Sequence, residues 1–278
     1  MKLNFVKMHG AGNDFILIDD RESRIPWQDH FLMAALAARR TGIGSEGVIL
    51  VQPSTRADFR MRFLNPDGAE AEMCGNGARC VAAFANAIGA AGRTMTMETM
   101  CGLMDAELTD HGVRVWMPEP DKRRYNLEVP FGDLVMCGHY LNTGVPHFVV
   151  PVPEIGHVDV DRDGRALRRH EVFAPEGANV NFVMWRAPDR MSMRTFERGV
   201  EAETGACGTG AVACAVVAVE TAGFTLPIRI RTTAGYELIV DGDWREGKCT
   251  GMTLTGPAKE VFRGEVDLDA LEMGDEIE

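Results

Sequence analysis

Short apolar runs rich in valine, isoleucine, leucine and phenylalanine, bounded by glycine, proline and aspartate, predict strands at residues 3–8, 15–19, 48–51 and 59–64. A helix ending near Arg40 falls between the second and third of these. A glycine-rich turn at 74–77 then opens an apolar helix, followed by alternating strands at 94–98, 103–108 and 113–117, the last closed by Pro118 and Pro120. The second half repeats this order. Strands around 147–152, 179–185 and 191–196 lead through a turn into another apolar helix, and strands at 228–232 and 237–240 follow.

Two segments make the repetition specific. CGNGARCVAAFANAIGAAG begins at Cys74 and CGTGAVACAVVAVETAG at Cys207, separated by close to half the chain. In both, the helical part is small and apolar nearly all round, which describes a helix buried on every side. Gly89 and Gly92 after the first helix, and Gly223 after the second, are expected C-terminal caps. The expected architecture is an α/β chain of the α+β type. It comprises two pseudo-symmetric domains, each a curved, mostly antiparallel sheet or barrel wrapped around a central helix. The first domain is placed at 1–120 plus about 264–278 and carries Cys74; the second, at 121–263, carries Cys207.

Composition narrows the classes of function. With 45% hydrophobic and 25% charged residues over 278 positions, the chain is an ordinary globular one. No apolar stretch is long enough to span a bilayer and no basic-then-apolar leader is visible, so neither a membrane partner nor export is expected, and the expected location is the cytoplasm. The formal charge of −12 disfavours nucleic acid and anionic surfaces and points to a small-molecule partner. Seven cysteines are an odd number, and their spacings lack the close pairs of structural zinc sites, so no metal is expected and the thiols read as reduced.

Each Cys-Gly-x-Gly unit sets a thiol where a turn becomes a helix. There the first backbone N–H groups lack intrahelical partners and the helix dipole presents positive charge, which stabilises a thiolate and grips an anion. Gly75, Gly77, Gly208 and Gly210 let a carboxylate come close to those N–H groups. Brought together about a pseudo-twofold axis, the two turns would hold one α-amino acid carboxylate with its α-carbon between two thiols. Inverting a stereocentre requires one group to remove a proton and another to deliver one to the opposite face, and two groups of similar pKa suit that task. Nothing signals a pyridoxal-type electron sink, so no cofactor is expected. A single such turn more often holds a buried structural thiol; two copies, symmetric in the chain, favour catalysis.

KMHGAGNDF at 7–15, FLNPDGAEAEMCGNGARC at 63–80 and ERGVEAETGACGTGA at 197–211 resemble diaminopimelate epimerases, and the resemblance runs over nearly the whole chain. It implies interconversion of LL- and meso-2,6-diaminopimelate for lysine and peptidoglycan precursor synthesis, without cofactor or metal, by a homodimer. It makes Cys74 and Cys207 the base and acid, exchanging roles with direction. Gly75, Asn76, Gly208 and Thr209 would hold the carboxylate at the reacting end. Asn65, Asn179 and Arg198 would recognise the distal amino-acid end, where a guanidinium suits a carboxylate. Asn13 is a further substrate contact. His147 and Glu197 match residues that tune the thiols, with Glu197 also at the substrate.

The sequence departs from some relatives at Gly47, where they place a substrate-contacting glutamine, and at Val145, where they place an asparagine. The stretch from Glu197 to Cys207 is one residue longer. A proline or hydroxyproline racemase of the same fold is the nearest alternative, weakened by the distal-end set, and a lyase or allylic isomerase of this architecture is more remote. A small-molecule binding protein or a thiol redox sensor is the alternative outside catalysis. Taken singly, Asn13 reads as turn chemistry, Arg79 as half of a structural ion pair, Arg198 as a surface or interface charge and His147 as a hydrogen-bonded loop histidine. Cys80, Cys101, Cys137, Cys214 and Cys249 read as structural thiols, mostly buried.

Overall fold

The structure, a computed structural model, describes residues 1–71, 75–132 and 134–271. In chain order the elements are β1 (Lys2–Gly10), β2 (Asn13–Asp19), α1 (His30–Ala37), β3 (Val48–Gln52), β4 (Phe59–Leu64), α2 (Gly75–Ala87), β5 (Thr94–Thr99), β6 (Gly102–Thr109) and β7 (Gly112–Trp116). Then come β8 (Asp121–Phe131), β9 (Leu134–Asn142), β10 (Pro146–Pro151), α3 (Val160–Arg168), β11 (Asn179–Ala187), β12 (Arg190–Glu197) and β13 (Ala202–Thr204). The chain ends with α4 (Gly208–Ala222), β14 (Ile228–Arg231), β15 (Glu237–Arg245), β16 (Lys248–Gly256) and β17 (Lys259–Asp267). Its contacts divide it into two compact units, Met1–Val115 with the segment from Pro257, and Trp116–Gly256.

In the first unit the strands run β17, β1, β2, β3, β4, β5, β6, β7, joined in turn by antiparallel, antiparallel, parallel, antiparallel, parallel, antiparallel and antiparallel pairings. In the second they run β8, β9, β10, β11, β12, β14, β15, β16, and the senses of pairing follow the same order. Each unit is therefore one copy of a single topology, and the first copy takes its opening strand from the end of the chain. Both parallel pairings in each copy are bridged by a helix, as a parallel connection requires. The first crossover helix is α1 or α3; the second is α2 or α4.

The two helices of a unit lie on opposite faces of the sheet. Ile16, Ile18, Val48, Leu50, Met33 and Leu36 form one apolar cluster with α1, and Phe148, Val150, Val180, Phe182, Phe196 and Leu167 form its counterpart with α3. Because side chains alternate along a strand, the intervening residues turn to the other face. There α2 packs on β1 to β4 and β6, and α4 on β9 to β12, β15 and β16. Strands covered on both faces lose their polar alternation, and every residue of β3 is buried. Helix α4 is buried continuously from Gly210 to Val219 and stops at Gly223, whose φ of 72° serves as a left-handed cap. Gly89, with φ 68°, follows α2 in the same way.

Six elements exceed the expectation from sequence: β8, β9, α3, β13, β16 and β17. In β8 only Val129 is buried, and the exposed residues dominate β17. Such strands carry little of the apolar signal that marks the inner ones. No helix among the described residues is long and apolar enough to cross a membrane.

Candidate active site

In the second unit, Cys207 is the N-cap of α4, with φ −119° and ψ 112°, and its carbonyl accepts the N–H of Ala211 at 3.0 Å to open the helix. The thiol makes no capping bond to the backbone, so it leaves the first-turn N–H groups to other partners. It lies 3.6 Å from the Thr209 hydroxyl and is almost wholly buried. The carbonyl of Thr209 accepts from the buried Thr143 hydroxyl at 2.9 Å, which ties the helix start to the loop before β10.

Phe148 and Val150 belong to the α3 cluster, so alternation turns His147 towards α4. The same rule, applied to Val180, Phe182 and Phe196, turns Asn179, Asn181 and Thr195 to that face. His147 pairs with Asn179 across the parallel β10–β11 ladder, and Asn181 with Thr195 across the antiparallel β11–β12 ladder. The Thr195 hydroxyl donates to Asn181 Oδ1 at 3.0 Å, and Asn181 Nδ2 lies 3.0 Å from His147 Nδ1. A Cβ on Gly210 would lie 2.3 Å from Asn181 Oδ1 and 3.2 Å from Cys207 Sγ, so the amide and the thiol share the space that glycine leaves.

Burial, and after it the nearby Arg198 charge, lower the His147 pKa to about 3, so its imidazole is neutral at physiological pH. Among the described residues Nε2 has no hydrogen-bond partner. A buried, unmatched polar atom costs about 1–3 kcal/mol, which is a signature of functional sites.

Asn179 Oδ1 accepts the backbone N–H of Arg198 at 2.8 Å, and its Nδ2 donates to the Pro146 carbonyl at 3.0 Å. Its amide thus fastens the end of β12 to the start of β10 and sets where Arg198 leaves the sheet. The Arg198 guanidinium donates to the Glu176 carbonyl at 3.3 Å and is partly exposed. Glu197 is the last residue of β12, half-buried and paired with Ala202 on β13. The structure therefore gathers His147, Asn179, Arg198, Glu197, Cys207, Gly208 and Thr209 on one side of the second unit.

In the first unit, Cys74 lies outside the described residues. Helix α2 starts at Gly75 with Asn76 buried, and Asn76 Oδ1 accepts from Arg79 at 2.6 Å. Arg79 is fully buried; its guanidinium also donates to the carbonyls of Gly75 at 3.3 Å and Pro257 at 3.4 Å. Asn13 follows the two-residue turn Ala11–Gly12, whose φ values of 57° and 102° match the twist of a tight hairpin. Asn65 closes β4, half-buried, in a turn where its carbonyl accepts the Gly68 N–H at 2.9 Å.

Gly47 has no room for a side chain: a Cβ would stand 2.4 Å from the Phe63 ring and 2.8 Å from the Leu64 carbonyl oxygen. The half-buried Val145 accepts the Thr143 N–H through its carbonyl at 3.2 Å, a bond independent of its side chain.

Sequence reasoning missed Asn181, Thr195 and Thr143. The signal for Asn181 was present, since in a strand it shares the face of Asn179 two residues before it. The expectation of mostly buried structural cysteines holds for Cys80, Cys214 and Cys249, but Cys101 and Cys137 are exposed. Cys101 sits in the turn between β5 and β6, and Cys137 on the outward-facing half of β9. Among the described residues no cluster of His, Cys, Asp and Glu is arranged to hold a metal ion.

The family model described as diaminopimelate epimerase matches residues 5–122 and 139–260. The chain is 40% identical to the diaminopimelate epimerase of Aquifex aeolicus over 287 aligned positions, covering 97% of this chain and all of that one. It is also 40% identical to that of Chlorobaculum tepidum, covering 94% of this chain and all of the relative. Among solved structures, a phenazine biosynthesis protein of the PhzF family from Bacillus anthracis superposes with a TM-score of 0.74 at 16% identity, covering 96% of this chain and 99% of that one. A hydroxyproline epimerase from Agrobacterium vitis with bound trans-4-hydroxy-L-proline superposes at 0.70 with 17% identity, covering 95% and 92%. At these identities the structural likenesses establish the fold.

Proposed function

The chain belongs to the diaminopimelate epimerase family, and from that premise we propose that it inverts one α-carbon of LL-2,6-diaminopimelate to give the meso isomer through Cys74 and Cys207. It is an isomerase, and the match over nearly its full length to relatives of that activity carries the reading. Racemases of the same fold remain at 17–19% identity, which supports the shared architecture and leaves the diaminopimelate assignment the stronger.

In this mechanism one cysteine, as thiolate, takes the α-proton, so that a C–H bond breaks and an S–H bond forms. The other, as thiol, delivers its proton to the opposite face. The two protonation states have then exchanged, and the reverse reaction starts from the exchanged form. The α-carboxylate carries the developing charge, and N–H groups at the starts of α2 and α4, at Gly75, Asn76, Gly208 and Thr209, are suited to receive it. A helix N-terminus also favours the thiolate. We assign His147 and Glu197 to tuning the thiols. Asn13, Asn65, Asn179, Glu197 and Arg198 are assigned to substrate recognition, with Arg198 the match for the distal carboxylate. Two expectations belong to the same reading: a homodimer, tested by light scattering, and a cytoplasmic location.

The test is proton NMR of LL-diaminopimelate with reduced protein in D2O, no cofactor added, following α-deuterium incorporation and the appearance of the meso isomer. Exchange that is abolished in both Cys74→Ala and Cys207→Ala supports the reaction and its two bases. Exchange of proline instead of diaminopimelate would transfer the chain to the racemase reaction.

A further inference from the structure

The orientation of the Asn181 carboxamide can be read from its neighbours. One end lies 3.4 Å from the Phe148 carbonyl oxygen, which only accepts, so that end must be the NH2 group. The other end then is the oxygen, and it receives the Thr195 hydroxyl at 3.0 Å. Reversing the amide would set two acceptors against each other at Phe148. The NH2 group is the one that faces His147 Nδ1 at 3.0 Å, so Nδ1 must accept. A neutral imidazole whose Nδ1 accepts carries its hydrogen on Nε2.

We propose that Asn181, clamped by Thr195 and the Phe148 carbonyl, is a positioning residue that holds His147 as the neutral Nε2–H tautomer, making the ring a fixed hydrogen-bond donor. The proposal rests on the assignment of His147 to the Cys207 half of the site and adds the residue that sets its state. It also gives Gly210 a second task. Beyond exposing N–H groups, the glycine lets the Asn181 oxygen approach the first turn of α4, where a Cβ would meet it at 2.3 Å. The same missing Cβ opens the space beside Cys207 Sγ. The charge acting on the ring is that of Arg198, and it disfavours a second proton. A neutral donor can stabilise negative charge on a thiolate or carboxylate without competing for the α-proton, whereas the opposite tautomer of the same ring would present a base.

The experiment is a long-range nitrogen–proton correlation of the full chain labelled with 15N-histidine, without substrate, between about pH 5 and 8. The signal of His147 is identified by its loss in His147→Gln. The expected pattern is an unprotonated Nδ1 and a protonated Nε2 throughout. In Asn181→Asp the neighbour becomes an acceptor, and the hydrogen is expected to appear on Nδ1. Wild-type protein showing an Nδ1–H ring or an imidazolium would overturn the proposal, as would an Asn181→Asp spectrum with the hydrogen still on Nε2 alone. In Asn181→Leu, with the fold checked by thermal unfolding, kcat for epimerisation is expected to fall at least tenfold. An unchanged kcat there would also overturn the positioning role. The tautomer is read in the resting protein, so wild-type protein failing to epimerise diaminopimelate would sink the substrate assignment and leave this result standing.

Discussion

Gly10 and Asn76 touch backbone to backbone: a Cβ on Gly10 would stand 2.6 Å from the Asn76 carbonyl oxygen. Through this contact the β1–β2 turn, which carries Asn13, is seated on the first turn of α2. Rigid main chain cannot yield to an added methyl as a side chain can. Gly10→Ala is expected to destabilise by about 1–3 kcal/mol in urea denaturation and to lower kcat/KM by moving Asn13 and Asn76 apart. An unchanged urea midpoint would mean that the hairpin shifts without cost.

A buried acid at the far end of α4 offers a separate test. The Glu220 side chain, 3% exposed, accepts from Arg123 Nε at 3.2 Å, from the Cys249 N–H at 2.8 Å and from the Tyr125 hydroxyl. Burial, followed by Glu220 itself, pushes the Tyr125 pKa well above its usual value, so the phenol remains a donor. Glu220→Leu takes the counter-ion from Arg123, whose guanidinium keeps only the Pro120 and Cys249 carbonyls, and leaves the Tyr125 hydroxyl and the Cys249 N–H unmatched, so a loss of about 3–5 kcal/mol is expected. Tyr125→Phe removes one bond to a charged carboxylate, and about 1.5–3 kcal/mol is expected. Equal effects in chemical denaturation would contradict this ranking.

The cysteines divide by exposure rather than by number. Cys101 and Cys137 reach solvent, while Cys80, Cys214 and Cys249 are buried. Burial, with the charge of Cys207 adding to it, raises the Cys214 pKa far above its usual value, and burial with Glu220 pushes Cys249 up to about 12. Brief iodoacetamide treatment of the native protein, read by peptide mass spectrometry, is expected to modify Cys101 and Cys137 and spare Cys80, Cys214 and Cys249 until urea is added. Modification of Cys214 in the native state would show that α4 opens locally.

What was legible in the sequence follows from burial. Helices α2 and α4 declared themselves because a helix buried along most of its length against a sheet is mostly small and apolar, and β3 because both its faces are covered. Helix α3 was hidden by Gly164, which ordinarily argues against a helix interior. A Cβ there would lie 2.3 Å from Phe196 Cβ, so the glycine serves close packing on β12. The thiol of Cys207 could be found from the local turn chemistry that surrounds it. Asn181 could not be given its role in the same way, because that role depends on Thr195 and His147, which reach it through strand pairing across the chain.

The His147 pKa also predicts how stability depends on pH. Folding holds the ring neutral down to about pH 3, whereas in the unfolded chain it takes up a proton near 6.5. Between those values the unfolded state binds one proton more than the folded state, so stability must fall as pH falls through 6.5 and must level off only near 3. The slope for one proton is about 1.4 kcal/mol per pH unit. His147→Gln is expected to be less stable or more stable overall by its own packing, and that offset is independent of pH. Urea denaturation of both proteins from about pH 7 to 4.5 should therefore show the wild type losing stability more steeply than the variant, with the difference opening only below about 6.5. Parallel curves would mean that the folded ring takes up its second proton near 6.5 as the unfolded one does, so that below this pH the Nε2–H donor assigned to it would carry a charge.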